Sequence, residues 1–160
     1  MKFNSLMHVN IVANDWDKMV DFYENKLGFK KVVEVKYKEY LNRPDRPEQQ
    51  AIAKTDPERI MYAYFEVVPG QQFIEMFPND RDLPKDVAWY QRTGFNHFSL
   101  TVDDIHATYE EFVKKGIPTR SEPSKGPSET WQFWSWDPDG NNFEVQQFTD
   151  KSYQKLGHLD

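Results

Sequence analysis

Two stretches of this chain are built alike, and that repetition constrains the fold more than any other feature. Leu6-Met7-His8-Val9-Asn10-Ile11-Val12-Ala13-Asn14-Asp15 and Phe95-Asn96-His97-Phe98-Ser99-Leu100-Thr101-Val102-Asp103-Asp104 both read as a strand running straight into a helix start. In each, apolar residues alternate with a polar set that includes one histidine, so the histidine lies on the face away from the apolar one. His8 to Asp15 is seven residues, as is His97 to Asp104; His8 to Gly28 is twenty and His97 to Gly116 nineteen. Each half also ends in a strand with one glutamate beside aromatics, Phe73-Ile74-Glu75-Met76-Phe77 and Asn142-Phe143-Glu144-Val145-Gln146. The His-to-Glu separations are 67 and 47, and a long insertion in the first half accounts for the difference.

The segments between these marks predict the same element order twice. After the first strand, Asn14 or Asp15 can cap a helix, with Trp16, Met19, Val20, Tyr23 and Leu27 as its apolar stripe. Gly28 suits a left-handed C-cap, and Phe29 can fold back on the helix. A strand is expected over 31–38, followed by a loop at 41–59, rich in proline, charge and glutamine and with room for a short helical turn, that reads as a lid or mobile insertion. Strands at 60–68 and 71–77 flank the Pro69-Gly70 turn. A connector at 78–94 carries a short helix from Pro84 towards Gln91.

The second half repeats this. Asp103 or Asp104 caps a helix with the stripe Ile105, Thr108, Tyr109, Phe112 and Val113, and Gly116 ends it. An irregular stretch at 118–127 leads to an aromatic strand at 129–136, the Asp137-Pro138-Asp139-Gly140 turn and a strand at 141–148. The tail, 149–160, is polar and expected to be partly mobile. The fold class is therefore α+β: two βαβββ repeats forming a curved eight-stranded mixed sheet around a metal-binding cavity. One domain covers 1–160, with repeat one at 5–78, repeat two at 94–149, the insertion loop at 41–59 and the tail at 150–160.

With helices over the Met7/Val9/Ile11 and Phe98/Leu100/Val102 faces, the opposite faces carry His8, Glu75, His97 and Glu144. Taken singly, each of these is more simply a satisfied core or edge residue. Four at repeat-related positions on one kind of face are better read as ligands of a divalent cation. Two imidazoles with two carboxylates suit a borderline metal: zinc, nickel or cobalt first, iron(II) or manganese next. The chain has no cysteine, which excludes thiolate sites, disulfides and cysteine nucleophiles. A formal charge of -6 disfavours a nucleic-acid partner. No segment has the apolar length to span a bilayer and none reads as a signal peptide, so a cytoplasmic protein is expected. His106 and His158 read as solvated, Lys36-Tyr37-Lys38 as an exposed strand face, and Glu110-Glu111 with Lys114-Lys115 as surface ion pairs. Trp131/Phe133 and Trp134/Trp136 give one aromatic set to each face of their strand; one set packs the core and the other is a candidate lining for an apolar pocket.

The chain resembles the vicinal oxygen chelate superfamily, which includes glyoxalase I, bleomycin-resistance proteins and extradiol dioxygenases. The resemblance rests on Met7-His8-Val9-Asn10, Asp21-Phe22-Tyr23-Glu24-Asn25-Lys26-Leu27-Gly28-Phe29, Phe95-Asn96-His97-Phe98 and Asp137-Pro138-Asp139-Gly140-Asn141-Asn142-Phe143-Glu144. It implies a small-molecule substrate, a homodimer, and a divalent metal chelating two adjacent substrate oxygens. The glyoxalase I ligand order of His or Gln, Glu, His, Glu falls here on His8, Glu75, His97 and Glu144. The resemblance implies a lyase or isomerase acting on an α-hydroxycarbonyl or hemithioacetal through an enediolate, with Glu144 moving the proton and Glu75 sharing that role or serving as a plain ligand. An Fe(II) extradiol-type dioxygenase and a metal-free, drug-sequestering protein of the bleomycin-resistance kind are the alternatives. Where glyoxalase I commonly carries an arginine for the glutathione carboxylate, four residues after the first ligand, this chain has Val12.

Overall fold

A computed structural model describes residues 4–84 and 93–157. The chain divides into two compact units, Met1–Lys85 and Asp86–Asp160. Each is built on a four-stranded mixed sheet, so the eight expected strands are present and their hydrogen bonds gather them into two sheets of four.

In the first unit β1 (His8–Ala13) pairs in parallel with β4 (Gln72–Pro78), and β4, β3 (Ile60–Val68) and β2 (Lys30–Lys36) follow antiparallel, in the order β1-β4-β3-β2. The parallel step requires a crossover, and α1 (Trp16–Val20) begins it. Asp15 caps α1 by accepting from the Lys18 amide at 3.2 Å. The helix then widens into a π-helical segment, Asp21–Lys26. That extra residue in the turn changes the stripe: Met19, Phe22 and Tyr23 are the buried residues, and Phe22 joins the core in place of the expected Val20 and Leu27. Gly28, at φ +79°, ends the helix in the left-handed conformation, and the Phe29 amide bonds back to the Tyr23 carbonyl at 2.9 Å. The Phe29 ring stacks on Tyr23, which packs in turn against Phe65 of β3. Full burial of such rings stabilises by about 1.5–3 kcal/mol each.

Two expectations in this unit are corrected. β2 stops at Lys36, and Tyr37–Tyr40 forms a 3-10 turn. Tyr37 is consequently not on an exposed strand face but buried, with the Arg59 guanidinium over its ring. The 41–59 segment is not an open loop either: it holds the nine-residue helix α2 (Pro47–Thr55), which starts on Pro47 and buries Ala53. Gln50 donates to the Leu41 carbonyl, and Arg59 forms a two-point pair with Asp80 just past β4, at 2.9 and 3.1 Å. The expected helix from Pro84 to Gln91 falls mainly on 85–92, outside the described residues.

The second unit repeats the order as β5-β8-β7-β6: β5 (Phe98–Thr101), β6 (Ser124–Lys125), β7 (Trp131–Trp136) and β8 (Asn142–Gln147), with β5 parallel to β8. Asp104 caps α3 (Ile105–Lys114), accepting from Ala107 N at 3.0 Å, and Gly116 ends it at φ +65°. Phe112 and Tyr109 meet Phe133 edge-on, and Phe143 stacks on Phe98. Val113, expected in the stripe, is 58% exposed and faces away from this core. Glu111 pairs with Lys115 at 2.7 Å, as the i,i+4 spacing predicts. His106 is exposed, with its ring edge-on to Trp131. The described part of the tail, 149–157, is tied to the second unit. Ser152 is fully buried, its hydroxyl bonds to Thr130, Thr149 and the Glu129 carbonyl, and the short helix α4 (Tyr153–Leu156) follows. His158 lies outside the described residues. No helix among the described residues is long and apolar enough to cross a membrane.

Candidate functional site

The strand registers set the geometry of both halves. In the first unit β1 lies beside β4 with His8 opposite Phe73 and Asn10 opposite Glu75. In the second, β5 lies beside β8 with Phe98 opposite Phe143 and Ser99 opposite Glu144. Each histidine therefore stands two residues before the position facing its glutamate, and the two units share one backbone register. His97 sits immediately before β5 rather than inside it. The burial pattern follows the alternation: Ile11 and Ala13 are buried while His8, Asn10 and Val12 are exposed, and Phe98 is buried while Ser99 and Thr101 are exposed.

The structure brings His8 and Glu75 together. His8 Nε2 lies 3.3 Å from Glu75 Oε2. Nδ1 of the same ring faces the Met7 sulfur at 2.9 Å. When Nε2 is unprotonated, its lone pair and Glu75 Oε2 are two electron-pair donors that can face one cation. Two ligands about 2.1 Å from one cation, at a tetrahedral or octahedral angle, lie roughly 3.0–3.4 Å apart. The observed separation thus fits a pair of ligands on one ion. Glu75 has further partners: Asn10 Nδ2 donates to Oε2 at 3.0 Å and the Tyr64 hydroxyl donates to Oε1 at 2.7 Å. Tyr64 faces Glu75 across β3 and β4, and its ring meets His8 edge-on at 5.7 Å. Burial, and then the bond to Glu75, push the Tyr64 phenol up to about 12.

The second pair is arranged on the same plan with different neighbours. Glu144 is 7% exposed, and Gln146 Nε2 donates to its Oε2 at 2.8 Å. Trp134 faces Glu144 across β7 and β8, and its ring meets His97 edge-on at 4.7 Å. His97 Nδ1 lies 3.0 Å from Asn96 Oδ1. Each unit therefore offers one imidazole and one carboxylate. No group of three or more His, Cys, Asp or Glu side chains placed to hold a metal ion occurs among the described residues.

The residues the sequence reading missed are Tyr64, Asn10, Gln146 and Arg120. Two of its aromatic sets are now separated: Phe133 packs the core, and Trp134 stands beside His97. Tyr64 was legible in hairpin arithmetic, since the midpoint between Tyr64 and Glu75 falls on Pro69-Gly70; the midpoint between Trp134 and Glu144 likewise falls on Asp139. Arg120 lies over the Trp136 ring and donates to the buried Asn142 at 2.7 Å, on the strand face of Glu144. It precedes its strand by too many residues for any local pattern to place it. Val12 is 40% exposed and stands opposite Phe77, whose ring packs on Tyr62.

Comparison with known proteins bears on the fold and the family. An uncharacterised Bacillus subtilis protein, YwkD, is 29% identical over 150 residues, covering 92% of this chain and 99% of its own. A Pseudomonas putida lactoylglutathione lyase is also 29% identical, over 160 residues covering 89% of this chain and 84% of that one. The crystal structure of a glyoxalase family protein from Enterococcus faecalis superposes with a TM-score of 0.67 at 23% identity, covering 91% of this chain and 99% of that one. The profile of the Glyoxalase/Bleomycin resistance protein/Dioxygenase superfamily matches residues 5–145, and this chain is a member of that superfamily.

Proposed function

We propose that this chain is a divalent-metal-dependent lyase or isomerase of glyoxalase I type, acting on an α-hydroxycarbonyl or hemithioacetal. The observation that carries the reading is the His8–Glu75 pair at ligand spacing, with His97 and Glu144 on the same register in the other unit. The proposed ligand set is His8, Glu75, His97 and Glu144. Zinc, nickel or cobalt suits these donors best. Such an ion, when bound, supplies Lewis-acid polarisation of the substrate carbonyl.

The chain's own groups do the rest. Glu144 removes the proton from the carbon beside the carbonyl, giving the substrate's enediolate, and returns it to the neighbouring carbon. Among the described residues its hydrogen-bond donor is Gln146 of the same strand, an arrangement that leaves the carboxylate able to reach two adjacent carbons in turn. Glu75, tied by a phenol and an amide, is suited to the role of a fixed ligand. At Val12, where glyoxalase I commonly carries arginine, the face is apolar, with Phe77 opposite and Tyr62 beside it. This favours a substrate carrying a neutral, apolar group there over one carrying the glutathione carboxylate.

Metal analysis of the purified chain is the test. About one nickel, cobalt or zinc per chain supports the reading, and Glu144→Gln should then lower turnover by at least about 10²-fold. Iron with oxygen uptake on catechols would assign an extradiol-type oxygenase instead. No uptake of metal, even after reconstitution, would leave a sequestering protein and end the enzyme reading.

A further inference from the structure

We propose that Tyr64 is the positioning residue for Glu75, its hydroxyl holding one carboxylate oxygen so that the other alone is presented towards His8. This rests on the metal-site reading above and goes beyond it, because it assigns a coordination mode to a residue outside the ligand set.

The geometry divides the two oxygens of Glu75 cleanly. Oε1 receives the Tyr64 hydroxyl at 2.7 Å. Oε2 receives Asn10 Nδ2 at 3.0 Å and lies 3.3 Å from His8 Nε2. A carboxylate can grip a cation with one oxygen or with both. Both oxygens accept a hydrogen bond, but the phenol bond on Oε1 is the shorter and pulls that oxygen towards β3, while Oε2 is the oxygen beside His8, so Glu75 is set for one-point binding through Oε2. Phenol and amide, approaching from strands on either side of β4, also remove the side chain's freedom to rotate.

Tyr64 is itself fixed. Its ring meets His8 at 5.7 Å, Tyr62 at 5.7 Å and Phe73 at 5.8 Å, each edge to face. Phe73 stands opposite His8 in the β1–β4 register, so the residues that cage the phenol are the ligand strand's own neighbours. Moving the phenol oxygen away from Glu75 requires moving the ring, which would break these contacts together.

The second unit supplies the comparison. Trp134 occupies the position of Tyr64: it faces the glutamate across the hairpin and meets the histidine edge-on. An indole ring keeps the wall beside the histidine but has no hydroxyl to give the carboxylate. The short donor to Glu144 is Gln146, two residues along the same strand. The hydroxyl of Tyr64 is therefore not required by the aromatic packing that both units share, and its effect falls on Glu75 alone.

The test is Co(II) binding by the full chain, read as a dissociation constant by chelator competition and as the visible d–d absorption of the bound ion. Tyr64→Phe keeps the ring and removes the hydroxyl. It should weaken Co(II) binding by about 10-fold or more and alter the d–d bands as Glu75 gains its second oxygen or drifts. Tyr64→Leu, which brings no donor, is a second variant without the hydroxyl, should Phe perturb folding as judged by circular dichroism. In the Glu75→Gln background, Tyr64→Phe should add less than about twofold, because its effect runs through that carboxylate. A Tyr64→Phe chain with wild-type affinity and spectrum would overturn the positioning role while leaving the metal site intact. Equal losses in the presence and absence of the Glu75 carboxylate would also overturn it. A wild-type chain that takes up no Co(II) would remove the metal reading and this assignment together.

Discussion

Replacing Asp137 should damage the second unit more than any other single change in a turn. Its carboxylate is 1% exposed and Oδ1 accepts from the backbone amides of Asp139, at 3.1 Å, and Asn141, at 2.9 Å. Oδ2 accepts from Asn141 Nδ2 at 2.9 Å. The backbone closes the same turn, with Asp137 N bonding to the Asn141 carbonyl and Gly140, at φ +84°, bonding back to the Asp137 carbonyl. Hydrogen bonds to a charged group are worth about 1.5–3 kcal/mol each when buried. Asp139 and Asn141 are half-buried, so water recovers part of the loss. Deleting the carboxylate also relieves its own desolvation. For Asp137→Ala a net cost of roughly 2–4 kcal/mol remains. Asp137→Asn keeps one side-chain oxygen for the two backbone amides and should cost about half as much. Three of the chain's five tryptophans lie on β7, so urea unfolding followed by tryptophan emission reports on this unit. The expected result is a lowered midpoint with an unchanged slope, and a Tm lower by about 5–12 °C for the alanine variant. An alanine variant within about 0.5 kcal/mol of wild type, or an asparagine variant as costly as alanine, would refute the view that these three bonds hold the turn.

Two further outcomes follow from other parts of the molecule. Arg59→Ala removes the two-point pair with Asp80 and the cation over Tyr37, which should cost about 1–2 kcal/mol and raise the rate of limited proteolysis within 41–59 by about tenfold, read by mass spectrometry of the cut sites. Tyr37 and Tyr64 both hold their protons above the ordinary tyrosine value, Tyr37 through burial and then the Asp80 carboxylate, and Tyr64, at about 12, through burial and then its bond to Glu75. The unfolded chain releases these protons near pH 10 while the fold retains them, so their contribution is complete below pH 10 and falls as pH climbs towards 12. Thermal unfolding across pH 9–12 should show that decline, and the double variant Tyr37→Phe with Tyr64→Phe should flatten it; an equally steep decline in the variant would exclude these two phenols as its source.

What was legible in the sequence was what local chemistry fixes. Asp15 and Asp104 cap helices because their side chains can accept from the first unpaired amides, and Gly28 and Gly116 end helices because only glycine enters the left-handed region freely. His8 and Glu75 were legible because strand alternation and a turn at Pro69-Gly70 place them on one face. The helix at 47–55 read as no more than a short turn because it has no apolar stripe: alanines and glutamines supply the turn, Ala53 alone of its residues is buried, and Arg59 and Asp80 hold the segment from outside. Tyr37 was misjudged for a related reason, since its cover comes from Arg59, far along the chain. The start of the tail is anchored by Ser152 against Thr130, a hydroxyl contact across twenty-two residues that no periodicity reveals. The π-helical turn at 21–26 shifted burial to Phe22, and a count at 3.6 residues per turn does not anticipate it.

The repeat explains how one backbone plan yields two carboxylates of different character. Pairing registers fix where Cα atoms lie, so a duplicated register reproduces the histidine, the glutamate and the aromatic facing it in both units. Registers do not fix what the neighbouring side chains donate. Facing the first glutamate is Asn10, and facing the second is Ser99; across the hairpin stand Tyr64 and Trp134; two residues beyond stand Phe77 and Gln146. The changes run in opposite directions. Glu75 gains a phenol and a strand-crossing amide, with an aromatic beyond it. Glu144 is buried more deeply and meets an amide of its own strand. Donors from neighbouring strands hold a carboxylate in one place, whereas a donor on its own strand leaves the head group more room to move between two atoms. On the proposed reading, a reaction that moves one proton between adjacent carbons needs one carboxylate of each kind. Two identical half-sites would supply two of the same.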